Sequence, residues 1–468
     1  MITIPFHHIV SLWEEAKVKA ASINQSVLIS YTKKIEQLDP LHFFRKSEQF
    51  FEGQRFFWSN PDHSHVMVGA GVTAEFTADG EDDRYHAIET QWKRFIEQAV
   101  CNKVCNEDTH SVGPVMYGGF SFDPKKEKTK LWDQFADALF ILPTFMLTKV
   151  EGNTYITINY MSDCDESVLK ELVSLEEELL SGSSIKHVNT TSIVKCLEMD
   201  PMEWKESISK ITEKITEGQM DKVVLARELR VLFQDKVNVA PVLENLMEEQ
   251  ANSYLFTIER GTDCFLGATP EQLVKRQGTK VQSMCLAGSI ARGESVEEDE
   301  QLGNDLLTDE KNMHEHDLVV QMIRASLEKV CENVRTPSEP NLYKMKHIQH
   351  LHTPVTAEAT DDCSLSDLLK LLHPTPALGG FPQEISLQTI REVERLDRGW
   401  YAGPIGWMDW KEDGEFVVAI RSGLLQEREA SLFAGCGIVG DSDPESEYQE
   451  TQIKFRPMLS ALGGNSTQ

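Results

Sequence analysis

Apolar residues recur every three to four positions over residues 9–22 and again over Met199–Glu217, where Trp204, Ile208 and Ile211 share one face. Both stretches predict amphipathic helices. Shorter apolar runs predict strands at Phe56–Trp58, Val66–Val72, Tyr155–Tyr160, Lys222–Phe233 and Tyr254–Arg260. Three runs carry turn signals. GPVMYGGFSFDP (Gly113–Pro124) is a glycine-bearing strand that turns at Asp123-Pro124, CFLGATPEQLV (Cys264–Val274) turns at Thr269-Pro270 just before Glu271, and FVVAIRSG (Phe416–Gly423) ends its apolar run on Arg421. A long helix is predicted from about Asp305 to Cys331. The last helix opens with Asp443 as cap and Pro444 at its first position. Along it Glu447 and Glu450 are three apart, and Glu450 and Lys454 four apart, so all three can line one face.

The acidic, then Ser/Gly-rich stretch Glu171–Lys186 is the best linker candidate, and the only one resembling low complexity. It divides residues 1–195, which mix helix and strand signals without a catalytic motif and are expected to support the fold, from residues 196–468, where the motifs are dense. With 468 residues, 40% hydrophobic and 26% charged, burying a large core is not limiting. The net charge of −29 argues against phosphate-backbone binding, so no nucleic-acid partner is expected, but a few local cations can still hold a small anion. The first 20 residues lack the basic start and apolar core of a signal peptide, and no run of about 18 apolar residues occurs. Nine scattered cysteines, with only Cys101 and Cys105 close together, suit reduced thiols. A cytoplasmic protein without a membrane association is the expectation.

Several residues are candidates for chemistry. Glu315 shares a helical stripe with Leu318, Val319, Met322 and Ile323, and a buried carboxylate must pair, bind a metal or become protonated. With Glu447 and Glu450 it suggests two helices clamping one Mg²⁺, against the alternative of a structural salt bridge. Lys222 and Arg421 sit at ends of apolar strands, where charges are usually solvent-facing. If the ends converge they become a base and a carboxylate clamp, with Glu271 as the matching acid should an apolar pocket keep it protonated. The Gly435-Cys436-Gly437 approach lets backbone come close to something small and anionic. His347, His350 and His352 match no standard zinc spacing, and His314-Glu315-His316 fails the HExxH pattern. There is no Walker loop and no GxGxxG opening a helix.

From Trp204 onward the chain resembles the chorismate-utilising enzymes, and among them the isochorismate synthases of the menaquinone pathway. The resemblance runs through KVVLAR, GATPEQL, CLAGSIARG, DEKNMHEHDLVV, HPTPALGG, GWYAGPIGW, AIRSGL and GCGIV…SEYQETQIK, with fainter similarity at RFFWSNPD and GGFSFDP. It implies an α+β fold of antiparallel sheets packed together with helices outside, and a reversible, Mg²⁺-dependent conversion of chorismate to isochorismate. It further implies that Lys222 activates the water attacking C2, that Glu271 protonates the departing C4 hydroxyl, and that Glu315 and Glu450 hold the metal with Glu447 close by. Arg421, Tyr401 and the Gly437 backbone would take the pyruvyl side chain, Lys454 would add positive charge, and Ser289 and His350 would lie in the pocket.

Relatives that use ammonia carry an uncharged residue in place of Lys222, so water is the implied nucleophile and no glutamine amidotransferase subunit is expected. Relatives that form a covalent amine intermediate carry a lysine at the place of Ala287. Salicylate synthases, which go on to eliminate pyruvate, tend to have a carboxylate where this chain has Asn312. They remain the alternative, with isochorismate synthases serving siderophore synthesis.

Overall fold

The computed structural model describes residues 6–80, 83–102, 104, 110–182, 190–346 and 348–464. Two antiparallel sheets face each other across a core of aromatic side chains, among them Trp58, Tyr117, Phe256, Trp400, Trp407 and Phe416, all buried. Thirteen described strands form the larger sheet and ten the smaller; one short pairing, Ile29–Ser30 with Val100–Cys101, is parallel. A second apolar layer lies on the outer face of the larger sheet, under helices such as Phe6–Ile23, Pro40–Phe51, Val239–Glu249 and Pro444–Ala461. The fold is thus α+β, with most helices outside the sheets.

Strands from the two halves of the chain are hydrogen-bonded into the same sheets. In the larger one Arg55–Ser59 pairs with Tyr254–Arg260, and in the smaller one Val115–Phe120 pairs with Pro404–Asp409. The predicted elements are found at Phe6–Ile23, Val66–Ala70, Asn153–Met161, Pro201–Thr216 and Lys222–Phe233. In the helix Pro201–Thr216, Trp204, Ile208 and Ile211 are the buried residues, as the periodicity requires.

Three expectations are corrected. The linker candidate is helical up to Leu179, because Leu169, Leu172, Glu176 and Leu179 recur at helical spacing and are buried; its end, like Cys105 and His347, lies outside the described residues. The long helix is two helices, Val296–Thr308 and Glu310–Leu327. Asp309 separates them: its backbone is extended, and its carboxylate accepts from the Asn312 N–H at 2.7 Å, capping the second helix. Finally, Arg421 does not end a strand. The strand stops at Val418, before the apolar run does, and Arg421 lies in the passage to the next strand, Ser422–Gln426, with φ +53°.

Candidate active site

Two passages between the sheets form one side of a cavity. The chain leaves the larger sheet at Thr269 and enters the smaller at Gln272, with Glu271 between. It leaves the smaller sheet at Val418 and returns to the larger at Ser422, with Arg421 between. The passages lie side by side: the Val418 N–H donates to the Glu271 carbonyl at 3.0 Å, and the Ala268 N–H to the Arg421 carbonyl at 3.1 Å. Holding a residue with a Cβ in a left-handed conformation costs about 1–2 kcal/mol. Such strain persists only where the surroundings over-determine it, and the hydrogen bond to its carbonyl helps to hold Arg421 there.

The remaining walls come from strands, a loop and two helices. Lys222 opens the strand Lys222–Phe233, and Tyr401 lies in the loop before Pro404–Asp409, its ring stacked on Phe433 with centroids 5.3 Å apart. Ser289 and His350 are register partners on neighbouring strands, and the Ser289 hydroxyl is 2.6 Å from His350 Nδ1. Glu315 projects from the helix Glu310–Leu327. Glu450 and Lys454 project from Pro444–Ala461, where the Asp443 carboxylate accepts from the Ser446 N–H and Pro444 takes the first turn. Of the residues singled out in the sequence, Lys222, Glu271, Ser289, Glu315, His350, Tyr401, Arg421, Gly437, Glu450 and Lys454 line this one cavity of about 250 Å³, and Glu447 does not.

Its electrostatics are set by pairing and burial. The Lys222 ammonium donates to Glu315, and the Lys454 ammonium donates to Glu450 at 2.6 Å and to the Gly435 carbonyl at 2.9 Å. Gly437 makes room for the first pair, since a Cβ there would sit 2.6 Å from Lys222 Cε. The Gly435-Cys436-Gly437 stretch thus also seats two lysines. The Arg421 guanidinium has no hydrogen-bond or carboxylate partner among the described residues. Burial pulls its pKa below the usual value, an effect opposed by Tyr401, Glu450 and Glu271. Burial pushes Glu271 up to about 7 although Lys222, Arg421 and Lys454 all pull it down, so near neutrality it carries a proton to give. Burial and the charges of Arg421 and Lys454 hold His350 at about 3, and it stays a neutral imidazole.

Glu315 is not the buried stripe residue that its spacing suggests. Its side chain is 35% exposed and Leu318 is 44% exposed, while His316, Val319 and Ile323 face the core. Glu447 turns away from the lining to accept from the Ser442 hydroxyl at 2.7 Å; burial and the neighbouring Glu450 raise its pKa.

A family model described as chorismate binding enzyme matches residues 14–463. The chain belongs to the chorismate-binding enzymes. This chorismate-binding enzyme is 47% identical over 451 residues, 95% of its length and 96% of the relative's, to the isochorismate synthase MenF of Bacillus subtilis. It is 35% identical over 469 residues, 98% of its length and 95% of the relative's, to the salicylate biosynthesis isochorismate synthase of Pseudomonas aeruginosa. Its fold matches the menaquinone-specific isochorismate synthase MenF of Escherichia coli with a TM-score of 0.78 at 24% identity, over 96% of this chain and all of that one. It also matches anthranilate synthase component I of Streptococcus pneumoniae with a TM-score of 0.72 at 22% identity, over 84% of this chain and 92% of that one.

Sequence reasoning missed part of the lining of this chorismate-binding enzyme. Arg398, Leu378, Ile420 and Phe433 face the cavity, and Asn312, noted only for its type, lies beside Gly288. The signal for Arg398 was present: Glu394 precedes it by four residues, just before Tyr401. That spacing suggests an exposed helical pair, yet the structure buries both in a loop, with 3% and 2% of their side chains exposed.

Proposed function

We propose that this chorismate-binding enzyme is an isochorismate synthase of the menaquinone type, and that it works in the cytoplasm with its thiols reduced. The observation that carries the reading is a lysine and a buried carboxyl, raised by that burial to about 7, facing one cavity whose remaining free charge is a guanidinium. Water supplies the nucleophile. Lys222 first gives up one ammonium proton to solvent. As the water oxygen bonds to C2 of chorismate, its proton passes to the neutral amine, the ring double bonds shift, and the C4 hydroxyl leaves with the proton of Glu271. One water enters and one departs, so the reaction is reversible and each group is restored by exchange with solvent. Arg421 and the Tyr401 hydroxyl take the pyruvyl carboxylate, a planar anion suited to a guanidinium fork. The neutral His350 and Ser289 border the ring without adding charge.

Two carboxylates from two helices suit Mg²⁺, which takes one or two such ligands and completes its shell with water and an anionic substrate. Glu315 and Glu450 each give one oxygen to a lysine and have a second without a protein partner among the described residues, so the donor set fits. Among those residues no three His, Cys, Asp or Glu side chains form a metal cage, and an ion sharing its shell with substrate requires none. When bound, the ion neutralises the ring carboxylate. Glu450→Gln is expected to raise the Mg²⁺ concentration giving half-maximal activity by about tenfold; an unchanged metal titration would rule Glu450 out as a ligand.

Product analysis tests the function. Purified protein incubated with chorismate and Mg²⁺ is expected to yield isochorismate, and salicylate plus pyruvate as the main products would overturn the assignment.

A further inference from the structure

We propose that Glu394 and Arg398 are positioning residues that take the place of a missing strand and thereby aim Lys222. The strand Lys222–Phe233 pairs along one edge with Ala430–Ile438 throughout its middle. Along the other edge it has strand partners, among the described residues, only at its ends: Lys222 and Val223 pair with Phe381 and Gly380, and Leu229–Phe233 pair with the strand Ile193–Glu198. Residues 224–228 between them have no neighbouring strand there among the described residues. The outward backbone groups of this stretch, which begins two residues from Lys222, need partners other than a strand.

The gap is filled mainly by side chains. Glu394 Oε1 accepts from the Ala226 N–H at 2.6 Å, and Arg398 Nη2 donates to the Val224 carbonyl at 2.7 Å. The Trp204 indole N–H covers the Ala226 carbonyl at 3.1 Å, and the Val224 N–H donates to the Gly379 carbonyl at 3.1 Å. Glu394 and Arg398 form a two-point pair, Nε to Oε2 at 2.8 Å and Nη2 to Oε1 at 2.5 Å. The acceptor and donor that face the strand are therefore held as rigidly as a backbone would hold them.

Arg398 also reaches the other walls of the cavity. Its Nη1 donates to the Leu378 carbonyl at 3.1 Å, its own carbonyl accepts from the Tyr401 N–H at 2.8 Å, and the guanidinium packs on the Phe122 ring at 4.3 Å. The side chain ties the strand carrying Lys222 to the Leu378 turn, and the backbone carbonyl of the same residue joins them to the Tyr401 loop. Although Arg398 lines the cavity, its charge is spent on Glu394, so it sets geometry rather than competing with Arg421 for an anion. Lysine could replace the charge but not the fork that serves Glu394, Val224 and Leu378 together.

This inference rests on Lys222 being the base, so Lys222→Ala is measured in parallel with Arg398→Lys and Glu394→Gln. Displacing a reacting group by about 1 Å can cost about a hundredfold in rate. Arg398→Lys is accordingly expected to lower kcat at least tenfold, with the KM for chorismate changed less than about threefold and circular dichroism of the folded protein unchanged. Glu394→Gln, which keeps an acceptor for Ala226, is expected to fall between it and wild type. Guanidinium at low millimolar concentration is expected to restore part of the kcat of Arg398→Ala, whereas urea at equal concentration does not.

The proposal is overturned if folded Arg398→Lys and Glu394→Gln both turn over within twofold of wild type, if the whole loss lies in KM, or if neither variant can be obtained folded, which would assign the pair to stability alone. Near-normal turnover by Lys222→Ala would instead remove the base assignment. A dead Lys222→Ala beside normal Arg398 and Glu394 variants would remove only the positioning role.

Discussion

At the residue scale the proposed chemistry depends on Lys222 and Glu271. Lys222→Ala is expected to cut turnover by at least about a hundredfold, the weight of a general base, while circular dichroism reports an intact fold; near-normal turnover would show that the proton goes elsewhere. Glu271 makes a prediction in pH. Its carboxyl ionises at about 7 in the folded protein against 4.5 unperturbed, and the useful form is protonated, so the acid's contribution to kcat/KM is expected to fall as pH rises through about 7. The same shift fixes the sign of a stability effect. Below pH 4.5 the group is neutral in both states, and its burial costs least. Between 4.5 and about 7 the unfolded chain releases a proton that the folded protein keeps, so stability is lost as pH rises, to a total of about 3 kcal/mol. Replacing it by Gln removes that penalty. Denaturant unfolding should find Glu271→Gln gaining about 3 kcal/mol relative to wild type between pH 4 and pH 8, and a pH-independent difference would contradict the burial assigned to this carboxyl.

At the element scale two glycines beside Lys222 separate activity from folding. A Cβ at Gly437 would meet only the far end of the Lys222 side chain, which can move. Gly437→Ala is expected to fold with near-normal stability and to lose at least about tenfold in kcat as the ammonium is pushed aside. A Cβ at Gly380 would lie 2.3 Å from the Lys222 carbonyl, with φ at +119°, so Gly380→Ala is expected to lose stability, and thermal unfolding distinguishes the two. Elements with a strong period were legible in the sequence. Trp204, Ile208 and Ile211 marked a helix, and Asp443-Pro444 marked the start of another. What escaped depended on residues competing locally with the period. Asp309 stops one helix and caps the next because its carboxylate satisfies the Asn312 N–H, although the apolar spacing runs on past it. Glu315 was placed on a buried stripe because Leu318 is apolar, yet that face is partly open and the core contact is made through His316. Glu394 and Arg398 are invisible to periodicity because their partners, Val224 and Ala226, lie about 170 residues away along the chain.

At the scale of the whole molecule every side chain lining the cavity comes from Lys222 or beyond, yet the sheets are shared with the first part of the chain. Removing residues 1–195 would expose the Tyr254–Arg260 and Pro404–Asp409 strands as open edges and uncover Phe256 and Trp407. Residues 196–468 expressed alone are therefore expected to aggregate or to lack a cooperative unfolding transition, and a soluble fragment with a sharp melt would refute this. The side-by-side passages carrying Glu271 and Arg421 have a different consequence. Their spacing is written into two covalent crossings, whereas Glu315, Glu450 and Lys454 arrive on helices whose seating can be edited from outside. A lineage built on this plan can alter the carboxylates and the amine that those helices bring by rewriting helices, and inherit the corner that holds Glu271 and Arg421 unchanged.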